Sequence, residues 1–240
     1  MLWLTLTKSV NKRVSLNEKE VFPISELFHR LDRDRQEQVL QAAMLVFSRH
    51  GYRKTSTQQV AEAAGISKGM VFHYFGSKQA LFELLCQQAT DYFQLWSDAM
   101  KQEIQGMDYI ARFSWLSRHK LESYLKNPEI FAFSSMLLMQ PEHCSVSPQV
   151  QDSCQRLQQL QQTAFLELAH SGNTQHFRED LPPEDIQRYI THILEGYSQE
   201  VMASLKGQSL DQLQDSPSWA AFDQLLSHLR LLFYKPEEGK

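Results

Sequence analysis

Apolar positions recur at helical spacing through most of the chain, and the clearest run comes early. Val39, Ala42, Ala43, Val46 and Phe47 lie on one side of a predicted helix over 34–50, with Gly51 as its stop. A second, shorter helix opens at Ser56 and Gln59, which form an S-x-x-Q capping box, and carries a small apolar face of Val60, Ala61 and Ala64. Gly65 follows where a helix end favours a residue free to take positive φ. Ile66 is apolar inside the turn and plugs the angle between two helices. Ser67 is a natural N-cap for the next one, in which Val71 and Phe75 point inward with Ile66. Lys68, Gly69, Met70, His73 and Tyr74 are left facing outward, and Gly69 sits in a first turn where another backbone can come close. The pattern describes a three-helix module whose third helix is short, polar and aromatic. Such a helix, held against a supporting one, is shaped to enter a DNA major groove.

The periodicity continues beyond this head. Ser77 caps a predicted helix over about 78–105 that carries Leu81, Leu84, Leu85, Phe93 and Trp96. Further helices are expected near 108–126, 129–140, 148–170, 184–206 and 217–234, with Pro128, Pro148, Pro182, Pro183 and Pro217 at their starts, where a missing N–H costs little. Loops fall at 141–147 and 171–183. The expected fold is therefore all-α: an N-terminal helix-turn-helix domain over 33–80 and a helical domain over 81–240, preceded by an extension, 1–32. In the extension, Pro23, Ile24, Leu27, Phe28 and Leu31 read as an extra amphipathic turn or two. Lys8, Lys12, Arg13 and Lys19 suit an arm for a minor groove; the plainer expectation is a frayed tail or an upstream start-codon artefact.

The run LQAAMLVFSRHGYRKTSTQQVAEAAGISKGMVFHYFGSKQALF resembles the N-terminal domain of the TetR/AcrR family over about residues 35–85. The resemblance is carried by AA-x-x-x-F-x-x-x-GY at 42–52, T-S-T at 55–57, V-A-E-A-A-G-I-S-K-G at 60–69 and Y-F-x-S-K at 74–78. It implies that Thr57 bonds a phosphate and that Gln58 faces a base edge, where an amide can pair bidentately with adenine. It implies that Ser67, Lys68 and Gly69 lie at the reader's N-terminus, where N–H groups and the helix dipole favour phosphate. His73 and Tyr74 would touch backbone or bases, and Lys78 would clamp a phosphate. Met70 stands where the family commonly has threonine and Phe72 where tyrosine is usual, so two hydroxyl contacts are lost, although the Met70 thioether can meet a thymine methyl. The rest of the chain resembles the family only in layout.

The formal charge of −4 argues against nucleic acid, but its distribution does not. Residues 33–80 hold seven Lys/Arg (Arg33, Arg35, Arg49, Arg53, Lys54, Lys68, Lys78) against three acids, and residues 81–240 hold twelve against twenty-one. A basic head on an acidic body binds DNA through the head alone. The hydrophobic fraction of 42% supports a core, and no apolar run approaches a membrane span. The start, MLWLTLTK, lacks a basic flank and does not read as a secretory signal. The expected place is the cytoplasm. Cys86, Cys144 and Cys154 show no C-x-x-C pair and fit a reducing compartment without a structural disulfide framework. His143, Cys144 and Cys154 raise metal binding or oxidation sensing, but the spacing matches no closed zinc pattern. No catalytic motif is present, so neither an enzyme nor a cofactor is expected.

The aromatic and methionine content of the body suggests a pocket for a flat or greasy effector, with Trp96, Phe113, Trp115, Tyr124, Phe131, Met136 and Phe165 as candidate lining; ordinary core is the plainer role for each. Ile186, Ile190, Ile193, Leu194, Tyr197, Val201 and Leu205 form one late stripe, and Phe222, Leu225, Leu226, Leu229, Leu232 and Phe233 another. The resemblance implies that these helices pair across a twofold axis in a homodimer, with the monomer's own core as the alternative. The function expected is a homodimeric transcriptional repressor that binds double-stranded operator DNA and leaves it when a small hydrophobic effector binds. The alternative is a protein-interaction module on the same fold, or a DNA-tethered adaptor or activator.

Overall fold

The computed structural model describes residues 24–170, 172–204 and 218–236, without the side chains of 162–170 and 202. The basic residues of the proposed arm, Leu205, Pro217 and the Phe165 side chain lie outside the described residues. Ten α-helices are described: α1 (Glu26–His29), α2 (Arg33–Lys54), α3 (Thr57–Ala64), α4 (Lys68–Phe75), α5 (Lys78–Glu103), α6 (Tyr109–Lys126), α7 (Pro128–Met139), α8 (Pro148–His170), α9 (Pro183–Ser204) and α10 (Ser218–Phe233). A 3-10 turn, Pro141–Ser145, occupies most of the expected loop after α7. No strand is formed among the described residues, and none of their helices is long and apolar enough to cross a membrane.

The described residues form two compact units that do not follow chain order. Residues 24–99 and 127–162 make the first; residues 100–126 and those after 162 make the second. In the first unit, α7 lies along α2. Ile130, Phe133, Met136 and Leu137 join the same buried cluster as Val39, Ala43, Met44 and Phe47, and the Phe82 ring meets Phe47 at 4.9 Å and Phe133 at 5.5 Å. Three segments distant in sequence are thereby fused into one apolar core.

Of the extension, residues 24–32 are part of this core rather than a frayed tail. Ser25 caps α1, and its N–H donates to the Tyr74 carbonyl at 3.0 Å. Phe28 is fully buried, 5.3 Å from the Tyr74 ring and 4.9 Å from that of Phe75. One aromatic side chain thus anchors the short helix on the back of α4.

In the second unit, Tyr109, Ile110, Phe113, Leu116, Ile186, Ile190, Leu194, Phe222, Leu226 and Leu229 are buried. Asp108 ties the ends of α6 and α10 together: its Oδ1 accepts from Tyr234 Oη (2.6 Å), Arg230 Nη2 (3.0 Å) and the N–H groups of Ile110 and Ala111 (both 3.0 Å). Burial alone would raise the Asp108 pKa, but these hydrogen bonds and the Arg230 charge outweigh it and hold the carboxyl below its ordinary value.

Candidate nucleic-acid interface

The turn between α3 and α4 is built by local chemistry. Ser56 Oγ accepts from the Gln59 N–H, and Gln59 Oε1 accepts from the Ser56 N–H at 2.8 Å, so the capping box is complete in both directions. Gly65 ends α3 at φ 61° and ψ 39°, the left-handed conformation that a side chain would strain. Its N–H reaches the Glu62 carbonyl and that of Ile66 the Ala61 carbonyl. Ser67 Oγ then accepts from the Met70 N–H and opens α4. Val71 and Phe75 are buried and Ile66 is half-buried against the same core, which fixes the face of α4 that remains outside.

That outer face carries Ser67, Lys68, Gly69, Phe72 and His73, all exposed. Gln58 is exposed on α3, where its amide donates to Glu62 Oε1 at 2.7 Å; Thr57 is half-buried beside it. A Cβ on Gly69 would meet only Ser67 Oγ, at 3.8 Å, so nothing within the protein requires glycine there. Met70 is half-buried and packs on the core instead of standing fully outward.

Two expected contact residues are engaged elsewhere. Tyr74 is 4% exposed and faces Phe28, not solvent, because α1 covers that side of α4. Lys78 Nζ donates to the carbonyls of Tyr52 (3.1 Å) and Thr55 (3.0 Å) and stands 4.4 Å from the centre of the Tyr52 ring. It serves first as a cap for the end of α2, where the helix dipole and unpaired carbonyls favour a cation.

Two supports of this surface were not legible in the sequence. Arg35 Nη2 donates to the carbonyls of Ala64 (3.1 Å) and Gly65 (3.0 Å), clamping the turn from α2. The partners are 29 and 30 residues away, and no local signal announces them. The other support lies at Gly51, whose φ of 70° and ψ of 171° interrupt α2 one turn before its end. The His143 ring fills the space where a side chain would be: a Cβ on Gly51 would stand 2.5 Å from Cε1 and 2.6 Å from Nε2. Thr55 Oγ1 donates to the Gly51 carbonyl at 2.8 Å and carries the chain into α3.

The cysteines depart from expectation. Cys144 and Cys154 form a disulfide, Cα–Cα 5.9 Å, joining the 3-10 turn to α8. Cys86 is a free, buried thiol whose pKa burial pushes up. No group of three or more His, Cys, Asp or Glu is arranged to hold a metal among the described residues.

The candidate effector-lining residues fall in both units. In the first, Met136 is 4% exposed within the core shared with α2, Trp96 is buried, and Phe131 meets Phe93 and Tyr92 edge-on at 5.1 and 6.2 Å. Met136 is thus engaged in holding α7 to the head. In the second, Phe113 is buried, Trp115 stacks on His119 at 3.6 Å and Tyr124 is half-buried. Burial lowers the His119 pKa, against the opposing pull of its hydrogen bond to the Trp115 carbonyl and of Glu122 and Glu103.

Residues 39–85 match the family described as "Bacterial regulatory proteins, tetR family". The chain is 24% identical over 185 residues to the HTH-type transcriptional repressor AcnR of Corynebacterium efficiens, covering 75% of this chain and 88% of that protein. It is 33% identical over 88 residues to the HTH-type transcriptional regulator RutR of Escherichia coli K12, covering 37% of this chain and 40% of the other. A TetR family transcriptional regulator from Chloroflexus aurantiacus shares the fold with a TM-score of 0.58 at 17% identity, over 89% of this chain and 99% of that one. The capped turn at Gly65 lies inside the matched segment, and the shared fold extends the likeness over the helical body: residues 39–85 carry the helix-turn-helix segment of the TetR family of bacterial regulatory proteins, and the rest of the chain is similar to that family in fold.

Proposed function

We propose that the protein is a DNA-binding transcriptional repressor that acts as a homodimer, with α4 of each protomer in a major groove of its operator. The observation that carries this reading is the outer face of α4: an eight-residue helix with a capped N-terminus, presenting Lys68, Phe72 and His73 beside exposed Gln58 of α3. The first N–H groups of α4 have no partner within the helix and suit a phosphate, and Lys68 adds a full charge at the same end. Gln58 reads a base once its amide leaves Glu62, which an adenine edge can replace as a partner. The AcnR relative, named a transcriptional repressor, supports the direction of control. Residues 33–80 serve as the DNA-binding domain and 81–240 as the domain for effector and partner subunit. A protein reading bacterial operators works in the cytoplasm, with the DNA.

Release follows from linkage. The chain passes from α4 through Ser77 directly into α5, so an effector bound in the helical body acts on the reader through that helix. The effector needs only a higher affinity for the conformation that misplaces the two readers. The aromatic side chains Phe113, Trp115 and Tyr124 favour a small hydrophobic compound. Quenching of tryptophan fluorescence by such compounds tests this arm, and silence across a broad panel would count against it.

The central test is fluorescence anisotropy on DNA from upstream of the protein's own gene, at two salt concentrations, beside an unbiased pool of duplexes. Lys68→Ala is expected to weaken binding to all sequences and to flatten the salt slope by about one unit. Gln58→Ala is expected to relax the preference at one base position, a discrimination of about 1–3 kcal/mol. If both variants bind as the parent does, α4 is not the reader.

A further inference from the structure

We propose that Cys144 and Cys154 are a reversible thiol–disulfide site through which peroxides and dithiol reductants adjust the DNA-reading head. The inference rests on the proposed function for one premise only. A protein that reads DNA inside a bacterial cell works in a reducing compartment, where a disulfide is more often transient and sensing than structural. The pair is placed to act on the head. Cys144 belongs to the 3-10 turn Pro141–Ser145 and Cys154 to the second turn of α8, so the bond pins the turn to a long helix. His143, adjacent to Cys144, is the residue whose ring lies over Gly51, with its Nε2 2.9 Å from Gln140 Oε1. Gly51 sets the last turn of α2, from which Thr55 Oγ1 bonds back to the Gly51 carbonyl and to which Lys78 is bound through the carbonyls of Tyr52 and Thr55. The residue after Thr55 is the α3 cap, Ser56, followed by Thr57 and Gln58. Every contact from the sulfur pair to the reading surface lies inside the first unit.

The chemistry balances. Cys144 is half-buried and Cys154 is 3% exposed, so the Cys144 thiolate meets the oxidant. Its sulfur attacks one oxygen of hydrogen peroxide, the O–O bond breaks, and Cys144 sulfenic acid and hydroxide are formed; the hydroxide takes up the proton that the thiol released on ionising and leaves as one water. The Cys154 thiol then attacks the sulfenic sulfur; the S–S bond forms and the hydroxyl leaves as a second water. A dithiol reductant reverses the change by two exchange steps, returning two thiols and leaving as its own disulfide. The reduced Cys144 has an acceptor waiting, since the Leu137 carbonyl lies 3.5 Å from its sulfur. Closing the pair restrains the 144–154 loop and holds His143 on Gly51; opening it frees the turn and loosens the approach to α3.

The test uses the full chain. After peroxide treatment, denatured protein should titrate as one thiol, Cys86, and after a phosphine reductant as three. Amide hydrogen exchange in 51–60 should quicken on reduction, by about tenfold for the most protected amides, and DNA affinity should fall severalfold. The Cys144→Ser/Cys154→Ser double variant should exchange like the reduced protein under both conditions. His143→Ala should still form the disulfide while 51–60 no longer responds. Three thiols after oxidation, or one-to-three titration with unchanged exchange in 51–60, overturns the proposal. Responsive exchange without DNA binding in either state overturns the DNA-reading function and leaves the redox coupling standing.

Discussion

Phe28 shows how far a single side chain can reach. It is fully buried against Tyr74 and Phe75 on the inner side of α4, the side opposite the proposed reading surface. Replacing a buried phenylalanine by alanine removes its transfer energy and leaves a cavity, at about 3–5 kcal/mol. Phe28→Ala is therefore expected to lower the thermal midpoint of the head and to weaken DNA binding although the residue faces away from any groove. Thermal unfolding followed by circular dichroism, beside anisotropy below the lowered midpoint, separates the two effects. A variant with the parent's midpoint would mean that α1 does not dock as described. The same ring explains why Tyr74 misled the sequence reading. At helical spacing Tyr74 falls with the outward set, and only a segment outside the helix-turn-helix pattern turns its surroundings apolar. The capping box at Ser56 and the left-handed Gly65 were legible because their partners lie within four residues. The Arg35 clamp and the seat of His143 on Gly51 were not, because each joins residues far apart in sequence.

At the scale of elements, helix number and boundaries followed from periodicity and proline placement, whereas helix partnership did not. An apolar stripe states that a face is buried, not against what. Thus α7 reads equally well as effector-lining or as core, and its packing on α2 appears only in three dimensions. The join between α6 and α10 depends likewise on Asp108, Arg230 and Tyr234, which nothing local connects. Because the folded carboxyl titrates below its ordinary value of 3.8, it stabilises the second unit at pH above that value, and the contribution fades as pH falls through the lower folded value. Asp108→Asn should consequently lower the urea midpoint at pH 7 and have a progressively smaller effect as pH falls below the lowered folded value, where the parent's carboxyl is protonated as well. Equal losses across that range would mean that the side chain acts through hydrogen bonding alone and not through charge.

For the whole molecule, the decisive question is what covers the outer faces of α9 and α10. Seven large hydrophobic side chains remain exposed among the described residues, and four of them, Tyr189, Ile193, Leu231 and Leu232, lie on these two helices. The late stripes divide in consequence. Ile186, Ile190, Leu194, Phe222, Leu226 and Leu229 are used by the second unit's own core, while Ile193 and Leu232 are not, and Leu231, outside the stripe, is exposed beside Leu232. A second copy presenting the same patch about a twofold axis would bury these side chains isologously and align two readers on half-sites about 34–36 Å apart. Ile193→Asp with Leu231→Asp places charge on side chains that are 39% and 82% exposed in the single chain, so helicity and monomer stability should change little. In a dimer the same charges would be buried unpaired, which is strongly unfavourable. Sedimentation at micromolar concentration should show the parent as a dimer and the variant as a monomer. The variant should also bind a two-half-site operator about 100-fold or more weakly, because the second reader no longer benefits from tethering to the first. A variant that still sediments as a dimer would show that the partner subunit is held by another surface, whereas a parent that sediments as a monomer would remove the paired-reader geometry from the proposed function.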